Sequence, residues 1–159
     1  PILPKYDNLL VVQTFSKSRS LAGIRIGFAI GSKEMISCLW SARNSFNSHT
    51  LNSLTNAVGT ASVRDDAYFK EKVQKITDTR ERSKERFRSL VFEFGDSKAN
   101  FIFVTHPKVS AEELFKDLRE EKIFVRYFGA ERIKNYLRIT IGTDEEMDRL
   151  FEYLEKRLS

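Results

Sequence analysis

The segment Thr14-Phe-Ser-Lys-Ser-Arg-Ser-Leu-Ala-Gly-Ile-Arg-Ile-Gly27 constrains the fold more than any other part of the chain. An apolar run, Leu9 to Val12, leads into a polar stretch holding Thr14, Ser16 and Lys17. Gly23, Arg25 and Gly27 follow, and a second apolar run starts at Phe28. Short continuous apolar runs are the pattern of strands in a sheet covered on both faces, so buried strands are expected at 8–15 and 24–31. The loop between them would carry two hydroxyls, an amine and a guanidinium. Hydroxyls and a guanidinium make directional, charge-assisted bonds to phosphate oxygens. A lysine in a partly dry pocket near other cations can lose its proton and attack a carbonyl carbon. The plainer alternative is that these cations lie on the surface beside two strands with no specific task. The spacing is neither that of a P-loop nor that of a Gly-x-Gly-x-x-Gly dinucleotide turn.

The same segment resembles the cofactor-lysine signature of fold type I pyridoxal-phosphate enzymes, the class I/II aminotransferases, and among these the histidinol-phosphate aminotransferase-like branch. The resemblance implies that Lys17 attaches pyridoxal 5'-phosphate covalently. It implies that Thr14, three residues before, and Arg25, eight after, bind the cofactor phosphate, with Ser16 as a further hydroxyl in the same turn. Gly23 and Gly27 match the glycines that let the backbone pack closely around the arginine. The resemblance covers nearly the whole chain but only the latter part of a full-length enzyme of this kind. The chain is therefore expected to be a C-terminal portion, lacking the groups that elsewhere in the family stack on and hydrogen-bond the cofactor ring.

With 41% hydrophobic residues and thirteen phenylalanines the chain has the composition of a folded globular protein. No apolar run approaches the roughly 20 residues that span a bilayer, and no signal peptide is read, so no membrane partner is expected. The single cysteine, Cys38, excludes an internal disulfide and fits a cytoplasmic location; within Met-Ile-Ser-Cys-Leu-Trp it reads as a small buried residue. A formal charge of +5 admits anionic partners. Acids are interleaved with bases over 70–88, however, which reads as a solvated helix face and argues against nucleic acid. No metal site is expected. The resemblance implies small-molecule amino and keto acid substrates and a homodimer.

Along the chain, Ser32 reads as the cap of a helix over 33–43. The polar stretch 44–52 reads as turns with His49 on the surface, and 50–63 as a small-residue helix packed on the sheet. A long, weakly apolar helix is expected over 66–92, ended by Gly95. A strand at 100–105 precedes a helix from Ser110, whose Ser-Ala-Glu-Glu is a capping box, to about residue 121. Strands at 123–128 and 136–141 and a helix from Thr143 to Leu158 complete a β-α-β-β-α order. The fold class is α/β (α+β). Residues 1–65 are expected to be a remnant of a large cofactor-binding domain, 66–94 a connecting helix and 95–159 a small domain.

Arg126 and Arg138 interrupt strands otherwise made of apolar residues. Such a charge needs a partner or faces solvent. The resemblance implies that Arg138 forks onto the substrate carboxylate or phosphate and that Arg126 also reaches the phosphate. His106 reads as a turn residue. The implied activity is transamination between a phosphorylated amine of the histidinol-phosphate type and 2-oxoglutarate, with the present piece inactive alone. Two alternatives stay open: a decarboxylase of threonine phosphate on the same fold, and a non-catalytic interaction module.

Overall fold

The computed structural model describes residues 5–158, which form two compact units, one ending at Glu71 and the other beginning at Lys72. The boundary falls inside a long helix.

In the first unit, β1 (Val11–Thr14) pairs antiparallel with β2 (Gly27–Ile30), Val11 opposite Ile30 and Thr14 opposite Gly27. These strands are shorter than the expected 8–15 and 24–31, and they are not buried. Val12 is 66% exposed, and Phe28 and Ile30 are nearly half exposed. The expectation of strands covered on both faces is corrected here: among the described residues no third strand pairs with β1 or β2, and both stay largely exposed. Phe15 is buried instead, edge-on to Phe28 with ring centroids 6.1 Å apart. Helix α1 (Lys33–Phe46) starts where Ser32 accepts a hydrogen bond from the Met35 amide, and it runs three residues beyond its expected end. Cys38, expected to be buried, is exposed on it, as are Leu39 and Trp40. Helix α2 (Ser53–Arg64) is capped by Asn52, whose carboxamide oxygen accepts from Thr55 N–H at 2.8 Å, and His49 is exposed before it.

Helix α3 (Asp66–Ser89) ends three residues short of the expected 92 and six before Gly95. Its stop signal is Val91, in the left-handed region at φ 62°, while the Phe92 amide donates back to the Phe87 carbonyl at 2.9 Å. This six-to-one closure usually places glycine at the position Val91 occupies. Helix α4 (Ala111–Glu120) ends in the same way, with Lys122 at φ 58° and Ile123 N–H bonded to Leu118 O at 2.8 Å.

The second unit holds a four-stranded antiparallel sheet of β3 (Glu93–Phe94), β4 (Phe101–Thr105), β5 (Arg126–Tyr127) and β6 (Leu137–Thr140), in the order β3-β4-β6-β5. Strand β3 is absent from the sequence reading because it is only two residues long, and β5 is a third of its expected length. Helix α5 (Asp144–Leu158) begins with a reciprocal cap. The Thr143 hydroxyl accepts from Glu146 N–H at 3.3 Å, and the Glu146 carboxylate accepts from Thr143 N–H at 2.8 Å. Alternation along the strands sends Ile102, Val104, Leu137 and Ile139 to one face. There they pack with Leu114 and Leu118 of α4, Leu150, Phe151 and Leu154 of α5, and the fully buried Phe87 of α3. His106, read as a turn residue, is also buried, with its ring 4.9 Å from that of Phe92. No helix among the described residues is long and apolar enough to cross a membrane.

Candidate functional site

The lysine loop is built from both ends inward. Thr14 closes β1 opposite Gly27, and a Cβ on Gly27 would lie 2.7 Å from the Gln13 carbonyl oxygen. Only glycine permits that approach. Beyond the strands, Phe15 N–H bonds to Ile26 O at 3.1 Å and Leu21 N–H to Phe15 O at 3.0 Å, so the chain doubles back. Between those anchors Ser20 N–H bonds to Lys17 O at 3.0 Å, and Ser20 takes a left-handed backbone at φ 56°. Lys17 is thereby displayed on a tight turn. It is exposed, and its ammonium has no partner among the described residues. Thr14 Oγ1 accepts from Ser16 N–H at 3.3 Å, tying the two hydroxyl residues together. Arg25 follows a short 3₁₀ turn (Ala22–Ile24) with a left-handed backbone at φ 58°, and its guanidinium donates to Ala22 O at 3.2 Å. A guanidinium has five N–H donors, so most of its capacity stays available.

Helix α2 supports this loop from below. The buried Thr55 hydroxyl donates to Ile24 O at 3.4 Å, and Gly59 lies so close to Ile26 that a Cβ would be 2.8 Å from its Cδ1. Arg19 donates to the Ser62 carbonyl and lies over the rings of Phe69, at 4.1 Å, and Phe15, at 5.5 Å. Arg19, Thr55 and Gly59 were not singled out by the sequence. The small-residue character of 50–63 was the available signal for the last two, and nothing distinguished Arg19 from the other surface cations.

The second constellation lies on the sheet of the second unit. Arg126 of β5 stands directly opposite Arg138 of β6, and Arg138 stands opposite Phe103 of β4. Both arginines therefore project from the face away from the apolar core. Neither has an acidic partner among the described residues, and Arg138 Nε is buried without any hydrogen-bond acceptor. Aromatic rings surround them: Arg138 Cζ is 5.4 Å from the Phe101 ring, and Arg126 Cζ is 5.4 Å from that of Phe128. A cleft of about 320 Å³ beside Ile123, Met147 and Arg149 includes neither arginine.

Thr14, Ser16, Lys17 and Arg25 are thus gathered in one loop of the first unit, and Arg126 and Arg138 in one register row of the second. A hydroxyl pair, an unpartnered amine and a guanidinium with spare donors suit a phosphorylated, amine-reactive cofactor. The close approach at Gly27 adds the compact backbone such a cradle requires.

A family model for aminotransferase class I and II matches residues 1–154, and the chain belongs to that family. It is 58% identical over 155 residues to histidinol-phosphate aminotransferase of Lactococcus lactis subsp. lactis (strain IL1403), covering 98% of this chain and 43% of that protein. The fold also matches histidinol-phosphate aminotransferase from Sinorhizobium meliloti in complex with pyridoxal-5'-phosphate. The TM-score there is 0.79 at 27% identity, over 96% of this chain and 41% of the other. The corresponding enzyme from Clostridium acetobutylicum shares the fold at a TM-score of 0.87 and 19% identity, over 99% and 48% of the two chains. The chain spans less than half the length of the curated relatives it matches.

Proposed function

We propose that this chain is part of a pyridoxal-phosphate-dependent transaminase that moves an amino group between a phosphorylated amine of the histidinol-phosphate type and 2-oxoglutarate. The observation that carries the reading is Lys17. It is an exposed ammonium without a partner, on a turn fixed between the Thr14–Gly27 pair and the left-handed Arg25. In this reading Thr14, Ser16 and Arg25 hold the cofactor phosphate, the hydroxyls as neutral donors and the guanidinium as a charged one. When bound, pyridoxal phosphate supplies the electron sink for charge developing at the substrate α carbon. Lys17 Nζ would hold the cofactor and, once displaced from it by the incoming substrate amine, would take the α proton as general base and return it as general acid. Arg126 and Arg138 bind the substrate's anionic end, and their lack of any acidic partner supports this.

The 58% identity to a histidinol-phosphate aminotransferase supports the substrate class. Since relatives are more than twice as long, the reading assigns sustained turnover to a longer chain and none to these 159 residues alone. A cytoplasmic homodimer belongs to the same reading, supported by exposed apolar side chains of the first unit such as Phe28, Ile30, Trp40 and Phe46. The test is an absorption spectrum of the purified chain with pyridoxal phosphate, beside Lys17→Ala. A visible band in the unsubstituted chain, lost in the variant and fixed by borohydride onto Lys17, is the expected result. Equal spectra for both proteins would remove Lys17 from the role, and steady transamination by the chain alone would overturn its assignment to a longer protein.

A further inference from the structure

We propose that Phe128 is a positioning residue that holds Arg126 and Arg138 together as a single two-armed clamp for a phosphate dianion; this rests on the arginine pair being an anion site. The pair poses a physical problem in the folded chain. Like charges directly opposite on neighbouring strands repel, and Arg126 faces Arg138 in register. No acid separates them among the described residues, and Arg138 Nε is a buried donor with no acceptor. Left to themselves, two long side chains in that situation would swing apart into water.

One ring contacts both. Phe128 lies 5.4 Å from Arg126 Cζ and 5.8 Å from Arg138 Cζ, each within the range of attraction between a cation and an aromatic face. Of the two guanidiniums, that of Arg138 alone lies over the Phe101 ring among the described residues. Phe128 follows β5 directly, and its contacts with both guanidiniums and with Phe103 put it on their side of the sheet. The ring is itself held: it meets Phe103 edge-on at 6.3 Å, and Phe103 stacks on Tyr136 at 4.7 Å and 14°. A chain of three aromatic rings thus ends against two guanidiniums. The arrangement fixes where the positive charge is before any anion arrives, which lowers the ordering cost of binding. Two guanidiniums supply paired N–H donors from two directions, which suits a tetrahedral dianion better than a single planar carboxylate.

The test is titration of the whole chain with inorganic phosphate, following the arginine Nε–H and aromatic ring resonances by NMR. Phosphate is expected to move the Arg126 and Arg138 Nε–H signals and the Phe128 ring signals with one common midpoint. Phe128→Leu should weaken phosphate binding about three- to tenfold, whereas Phe128→Tyr, which keeps the ring face, should stay within about twofold. Equal affinity in the unsubstituted chain and Phe128→Leu would overturn the positioning role while leaving the arginine pair as an anion site. No binding by the unsubstituted chain would overturn both. Should Phe128→Leu fail to fold, the ring signals of the unsubstituted chain decide: silence of Phe128 while both arginines respond overturns the proposal.

Discussion

The two units of this chain are built on different terms. Among the described residues, the first unit buries one large apolar side chain, Phe15, while the second buries Phe87, Ile102, Leu114, Leu118, Leu137, Phe151 and Leu154 almost completely. The second unit closes a four-stranded sheet under two amphipathic helices and the last turns of α3. The first offers two paired strands, and a two-stranded pair is marginal by itself in water. The proposed cofactor loop is on the poorly covered unit and the proposed anion clamp on the well-packed one. Chemistry that needs the lysine loop rigid therefore depends on further covering of β1 and β2, whereas the arginine pair has its scaffold already.

The largest test of that contrast is Phe87→Ala. Phe87 is fully buried and touches Phe92, Phe94 and Phe151, with ring centroids 4.7–6.2 Å away. Its truncation is expected to cost about 3–5 kcal/mol of the second unit's stability. Trp40, the sole tryptophan, lies on α1 and reports the first unit by fluorescence, while amide exchange at Ile102 and Leu137 reports the second. In urea the Trp40 signal should change first, and Phe87→Ala should shift the exchange of Ile102 and Leu137 without moving the Trp40 midpoint. One common midpoint for both signals, shifted together by the substitution, would show a single cooperative body and break the comparison.

Much of the second unit was legible because its signals are local. Ser110 and Thr143 cap the helices they were expected to cap, and the alternation in Phe101–Thr105 and Leu137–Thr140 names the core face. What escaped depends on partners distant in sequence. Phe87 lies on the three-four apolar spacing of α3, but Arg80 and Ser83, which interrupt that spacing, are buried along with it, as is Lys84. The sequence pattern marks Gly95 for the end of α3, since glycine is the usual left-handed residue, but the chain uses Val91. At the candidate sites, the residue types of Lys17, Arg25, Arg126 and Arg138 stood out in the sequence. The register that sets Arg126 against Arg138 did not, since strand pairing is not written in either strand alone. The exposure of β1 and β2 was misjudged because a continuous apolar run states that a strand wants covering, not that a neighbour is present to do it.

Acid offers a test confined to the second unit. The buried Lys84 donates to Asp96 at 2.8 Å and to both Glu81 oxygens at 3.1 Å, and Lys98 also reaches Asp96 at 3.1 Å. The Lys84 ammonium, and after it Lys98, holds the Asp96 carboxyl down to about 2, from an ordinary value of 3.8. A carboxyl whose pKa is depressed on folding stabilises the protein above its unfolded value, and that contribution is lost as pH falls through the folded one. Stability contributed by Asp96 should thus be complete above about pH 4 and disappear towards about pH 2. In Lys84→Met the Asp96 titration, followed by carboxyl NMR, should move back towards 3.8 and the acid-induced loss should flatten. An unmoved Asp96 would mean that Lys84 does not hold it, and that the packing of this unit rather than this ion pair keeps α3 and the 95–100 loop together.

The smallest effect concerns the strained helix end. Val91 is β-branched, 62% exposed and held at φ 62°, a region in which Cβ crowds the backbone and which β-branched residues rarely enter. It persists because the flanking residues are fixed: Phe87 lies in the core and Phe92 is buried, with the bond from Phe92 N–H to Phe87 O joining them. Glycine at this position relieves the crowding but widens the unfolded ensemble, and the two effects oppose each other. Relief should win, so Val91→Gly is expected to stabilise the second unit by about 0.5–1 kcal/mol, read as a rise in its melting temperature. The better-packed unit then has slack left in it, because its core tolerates a left-handed valine. A fall in melting temperature would instead mean that the exposed Val91 side chain contributes more by contact than its backbone costs, and that the second unit extends its packing to a residue the sequence and the surface both mark as outside.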